Sequence, residues 1–206
     1  MSGAGDRLAD AVRELIEALA AEAPTEAAMD EAAVALRALT GRLRDSAGGR
    51  PRPYHFGGTT DGPEPTAYLA HSPVSGRGNP LAAPLQLEVR DGVVHGRGRF
   101  GRAYEGPPGC VHGAFVAAAF DDALGLANVA GGNPGLTTRL EVRYRRPTPL
   151  HADVEVECRH MGRDGRRIFA AGTMRAGGVV TAEAEGTFAE VTPERALELF
   201  AAWRKP

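Results

Sequence analysis

Apolar residues recur at two different periods along this chain, and the change of period divides it. Over residues 6–46 the spacing is helical. Leu8, Val12, Leu15, Ile16 and Leu19 share one face, and Met29, Ala32, Val34, Leu36, Leu39 and Leu43 form a second, less regular set. Thr25, followed by Glu26 and Asp30, marks the start of the second helix. Both helices are amphipathic and need a surface to pack on, so they read as a capping or oligomerising hairpin. Residues 47–83 are punctuated throughout by Gly, Pro and Ser. This long stretch reads as a linker that drapes over the core or lines a site, with His55 and His71 as exposed loop residues. From residue 84 the period becomes two. Leu85, Leu87 and Val89 alternate with polar residues, and Asp91-Gly92 predicts a hairpin into a second strand. Four further alternating segments occupy residues 136–146, 151–160, 166–176 and 179–191. In the first, positions 136, 138, 140, 142 and 144 are expected to share one face; in the second, Val154, Val156 and Cys158 do. A last helical run, residues 193–203, follows Thr192 as its N-cap.

Between the second and third strands lies a different kind of helix. Residues 114–129 are apolar almost all round, interrupted by Asp121 and Asp122. Such a helix is expected to be buried on every side, and it is too short and too interrupted to span a membrane. The order strand, strand, buried helix, four strands predicts an α+β fold. One antiparallel sheet of about six strands curls around a central helix. The expected organisation is an N-terminal helical extension over 1–50, a linker over 51–83 and the sheet-and-helix domain over 84–206.

Composition narrows the function. A chain of 206 residues suits one domain with an appendage. A net charge of -2 supplies no basic field for nucleic acid. Cys110 and Cys158 stand far apart, outside any CxxC pattern, and read as free thiols of a reducing compartment. The N-terminus lacks a basic region followed by an apolar one, so a cytoplasmic location is expected. The six histidines and two cysteines show no metal-ligand spacing, so neither metal nor cofactor is expected. No GxGxxG or Walker pattern occurs.

The candidate chemistry sits on the central helix. Burying a carboxylate without a partner costs several kcal/mol, so an acid in an apolar helix is either paired or used. His112-Gly113 opens that helix, whose first amides are unpaired and carry the positive end of its dipole. Glycine at 113 lets a substrate approach the backbone, which makes an oxyanion hole for an acyl carbonyl. Asp121 follows His112 by nine residues, about 180° around the helix and about 13 Å along it. One chain therefore does not bring them together; two chains with antiparallel helices do, which predicts a homodimer with its sites at the interface. The same residues also admit a structural reading, with Asp121 bonded to a strand and His112 no more than a neighbour of the cap. Asp122 faces about 100° away and reads as structural. Cys110 lacks an orienting third group and reads as a loop residue near the site.

The segment Glu105-Gly106-Pro107-Pro108-Gly109-Cys110-Val111-His112-Gly113, the nine-residue step to Asp121, and Thr137-Thr138-x-Leu140-x-Val142-x-Tyr144-x-Arg146-Pro147-x-Pro149-Leu150 resemble the hotdog-fold acyl-CoA thioesterases. Within them the nearer branch is the phenylacetate-pathway (PaaI-type) and mammalian long-chain group. The resemblance covers residues 80–191. It implies a hotdog fold and hydrolysis of an acyl-CoA or other acyl thioester. Asp121 matches the catalytic carboxylate as base or nucleophile. Gly113 matches the carbonyl-holding amide, His112 the histidine of a His-Gly-Gly motif, and Thr137 a hydroxyl that places the carboxylate or the water. Gly109, Ala114 and Thr138 fall beside these as substrate-contacting positions. Two departures stand out: the second glycine of the motif is Ala114, and the Asn that some members carry six residues before the histidine is Gly106. Arg163, Arg166 and Arg167, around a Gly-Asp turn, are candidates for the phosphates of coenzyme A. The assembly expected is a homodimer or a tetramer of two dimers. A dehydratase or hydratase on the same fold and a non-catalytic acyl-CoA-binding module are the alternatives.

Overall fold

A computed structural model describes residues 3–49, 69–83 and 85–191. The helical run expected over 193–203 and His55 lie outside the described residues. Two N-terminal helices, α1 (Ala4–Ala21) and α2 (Glu26–Ala47), precede β1 (Leu85–Arg90) and β2 (Val93–Gly98). The central helix α3 (Gly113–Ala130) follows, then β3 (Gly135–Tyr144), β4 (Val154–Asp164), β5 (Arg167–Ala176) and β6 (Val179–Glu190). The six strands form one antiparallel sheet in the order β1-β2-β4-β5-β6-β3.

The sheet curls around α3, which packs against all six strands. Alternation explains the wrap. Val154, Val156 and Cys158 of β4 are buried, while the residues between them are exposed. Phe120, Leu124 and Leu126 of α3 are fully enclosed; each such side chain contributes about 1.5–3 kcal/mol by leaving water. Among the described residues α3 alone has the length and apolar composition to cross a membrane, and here it is the core helix of the sheet.

Two sequence expectations change. α3 is not buried on every side: Ala114, Ala118, Asp121 and Gly125 line a flank on which none is buried. The five even positions of β3 do not share a face either. The register of β3 against β6 slips between Thr137 and Arg139, so Thr138 is a bulge. The extra residue inverts the alternation. Leu140 and Val142 face the core as expected, but the inward residue before the bulge is Thr137. Residues 69–83 lie against the core. Leu69, Ala82 and Ala83 are buried, and Ser72 and Ser75 bond to α3.

α1 is tied to this loop and to the turn after β2. Arg13 donates to the carbonyls of Gly76, Arg77, Asn79 and Ala82. The Glu17 carboxylate accepts from the amides of Arg102 and Ala103, at 2.7 and 3.1 Å. α2 is capped as its sequence predicts, Thr25 Oγ1 accepting from the Ala28 amide at 3.3 Å, yet none of its residues is buried.

Candidate active site

The site is built where a short loop delivers the chain to the N-terminus of α3. The Glu105 carboxylate accepts the Gly109 amide at 2.7 Å. Gly109, at φ +75°, makes the turn, and its carbonyl accepts from the Leu150 amide at 3.0 Å. Both backbone groups of Gly109 are therefore committed to the loop. Gly106 packs so closely on His112 that a Cβ there would lie 2.7 Å from the His112 Cα. That contact gives a steric reason for the missing Asn: any side chain at 106 displaces the histidine.

His112 is the N-cap of α3, and its Nδ1 accepts the Ala114 amide at 3.1 Å. With Nδ1 as acceptor, the neutral ring carries its proton on Nε2 and presents a donor outward. The Gly113 amide has no hydrogen-bond partner among the described residues. An unpaired first-turn amide and a ring N–H side by side form a donor pair for a carbonyl oxygen. Phe115, more than a third exposed, stacks edge-on to both His112 and Tyr104 and walls one side. The Tyr144 hydroxyl donates to the Gly113 carbonyl at 2.9 Å, and its ring lies against Gly113. Tyr144 stands in the motif and on the face shared with Leu140 and Val142, but no role at the site was expected of it.

Asp121 sits two and a half turns along α3, on the flank the sheet leaves open. The Thr137 hydroxyl donates to its Oδ1 at 2.8 Å, while Thr138 donates to the Thr187 carbonyl at 3.0 Å instead. The bulge thus decides which of two adjacent threonines meets the acid. Asp122 belongs to a different environment. Its Oδ2 accepts from the hydroxyls of Ser72 and Ser75, both at 2.6 Å. Burial raises its pKa above the usual carboxylate range; the two serine hydroxyls oppose that shift and the charge of Asp121 adds to it. Asp122 fastens the 69–83 loop to the helix. No signal in the sequence marked those serines.

The arginine turn lies beyond the other end of α3. Arg163 forms a bidentate pair with Glu190, at 3.0 and 3.1 Å, and also reaches the Gly165 carbonyl. Arg167 pairs with Asp164. The Arg166 side chain has no partner among the described residues. Cys110 and Cys158 are unpaired, and burial pushes the Cys158 thiol up. Among the described residues no three His, Cys, Asp or Glu side chains gather as metal ligands.

Comparison with known proteins converges on the same region. The thioesterase superfamily matches residues 108–183, from the loop before His112 into β6. The crystal structure of a thioesterase superfamily protein is 34% identical, covers 92% of this chain and 92% of its own, and superposes with a TM-score of 0.81. This chain belongs to the thioesterase superfamily. The curled sheet around one central helix is the hotdog fold that the motif resemblance implied. Acyl-coenzyme A thioesterase THEM4 of Bos taurus is 31% identical over 93 residues, which is 44% of this chain and 38% of that protein. The Mus musculus protein of that name is 30% identical over 95 residues, 45% and 41% of the two chains. The match thus spans about two fifths of these curated relatives. Zebrafish thioesterase superfamily member 2 shares the fold at 17% identity, covering 60% of this chain and 91% of that one, with a TM-score of 0.52.

Proposed function

We propose that this protein hydrolyses acyl-CoA or a related acyl thioester to a free acid and a thiol. The observation that carries the reading is the Thr137–Asp121 contact. A carboxylate is held by one hydroxyl on an open flank of a helix whose own N-terminus offers an unpaired amide. Asp121 takes a proton from water as the water attacks the thioester carbonyl. The oxyanion that forms is held by the Gly113 amide, with His112 Nε2–H beside it. Collapse breaks the C–S bond, and the leaving thiolate takes up the proton that Asp121 had accepted, which regenerates the carboxylate. The His112 cap counts against the dehydratase and hydratase alternative, because a ring whose Nδ1 is occupied and whose Nε2 bears hydrogen is a donor and not a base. Alanine at 114 fits the hydrolase reading, since its amide is already taken by His112 and a second glycine has no free amide to offer there.

Asp121 and Gly113 lie eight residues apart on one rigid helix, about 12 Å along its axis. They meet one carbonyl only when a second copy lays its α3 antiparallel on the open flank. Ala114, Ala118 and Gly125 are small enough for a close helix approach, and the functional unit is accordingly a homodimer with two shared sites. In that arrangement the C-terminal end of one α3 lies beside the N-terminus of the other. Arg166, whose side chain has no partner among the described residues, is then the candidate for a coenzyme A phosphate. The proposed chemistry draws on a carboxylate, an amide and a water. Thiol release from a panel of acyl-CoAs tests the reading. Asp121→Asn should lower kcat by about 100-fold or more with little change in KM, and Asp122→Asn should stay within a few-fold. Equal loss in both variants would overturn the assignment, and ligand binding without thiol release by the wild type would overturn the activity.

A further inference from the structure

α2 leaves an apolar face without cover. None of its residues is buried, yet Met29, Leu36, Leu39 and Leu43 are each at least 36% exposed. Met29, Leu36 and Leu43 recur every seven residues, with Ala32 and Leu39 between them. Alternating steps of three and four are the spacing of a two-helix seam. The helix has 22 residues, and in proteins most helical stability comes from packing an amphipathic face.

The charges say what covers the seam. Glu26, Asp30 and Glu31 occupy the first part of α2, and Arg37, Arg42 and Arg44 the last. None of the six is in an ion pair among the described residues. The helix dipole accounts for Glu26 and Arg44 in the end turns, but its effect fades within a turn. Glu31 and Arg42 lie beyond that reach. At about 100° per residue, Glu31 and Arg42 flank one side of the seam, and Glu26 and Arg44 the other. A second α2 laid antiparallel across Leu36 sets Glu31 of each copy against Arg42 of the other, and Glu26 against Arg44. Each contact occurs twice by two-fold symmetry. A parallel pair would set acid against acid and base against base.

We propose that α2 is a self-association surface through which two copies of the chain join as antiparallel helices, with Leu36 at the two-fold axis. The contact is separate from the α3 pairing at the active site and stands or falls independently of it. Single cysteine substitutions in the full chain test it under mild oxidation, with the wild type and its own two thiols as background. Leu36→Cys should cross-link to itself. Met29→Cys should not, but should cross-link when mixed with Leu43→Cys. Self-cross-linking at Met29→Cys, or none at Leu36→Cys, would overturn the proposal. Sedimentation supplies a second measurement. Glu31→Arg should raise the concentration at which the assembly dissociates by about tenfold, and adding Arg42→Glu should restore it. Dissociation unchanged by the first substitution, or unrestored by the second, would also overturn it. Thiol release per chain, read in the same samples, should stay within two-fold for these α2 variants, so this contact and the hydrolase reading fail separately.

Discussion

Asp121 and Asp122 are neighbours in sequence with opposite surroundings, and hydroxyl groups make the difference. Asp121 keeps one hydroxyl partner and an open side, while Asp122 is clasped by two serines. A hydrogen bond to a charged group contributes about 1.5–3 kcal/mol, so Thr137→Val should reduce kcat about tenfold or more. KM should stay near the wild-type value and Thr137→Ser should retain most activity; steady-state kinetics on one acyl-CoA checks this. Asp122 carries a pH signature. Its folded-state pKa is raised, so the stability it contributes is whole below the ordinary carboxylate range and is lost as pH rises through the folded value. Asp122→Asn imitates the protonated acid. Its Tm should match the wild type near about pH 4 and exceed it increasingly toward about pH 7. A difference that stays constant across that range would count against buried ionisation at this residue.

The sequence pattern predicted the elements well, because the hydrophobic period reports the face that each one buries. α1, α2, the central helix and six strands stand where the spacing of Leu8 to Leu43 and the alternation from Leu85 onward put them. What the pattern missed arose from tertiary contacts. A single-residue bulge at Thr138 leaves composition unchanged but inverts inward and outward positions, so parity pointed to Thr138 where the fold uses Thr137. Polar loop residues carry no period, which hid Ser72 and Ser75. Arg163 and Arg167 looked available for phosphate, but an arginine in sequence does not disclose an acid 27 residues away or across a turn. The dock of α1 is equally long-range. Arg13 serves four loop carbonyls, and Arg13→Ala should cost about 2 kcal/mol by leaving part of that set unpaired. The urea midpoint is expected to fall accordingly; an unchanged midpoint would show that α1 is not docked in solution.

For the molecule as a whole, the two groups of the proposed site, Asp121 and the Gly113 amide, are held apart by one chain. The helix is rigid; the sheet packs on one side, the 69–83 loop fastens to Asp122, and the flank bearing Asp121 is left open. In the proposed homodimer, symmetry supplies the missing half, and subunit complementation tests that proposal directly. Gly113→Pro deletes the amide while suiting the first helical position, where the preceding His112 already has an extended backbone. Gly113→Pro and Asp121→Asn should each be inactive alone. Co-expressed, half of the dimers are mixed, and each mixed dimer holds one intact site of two, so about a quarter of wild-type thiol release should return. No recovery in a preparation shown to contain mixed dimers would contradict it.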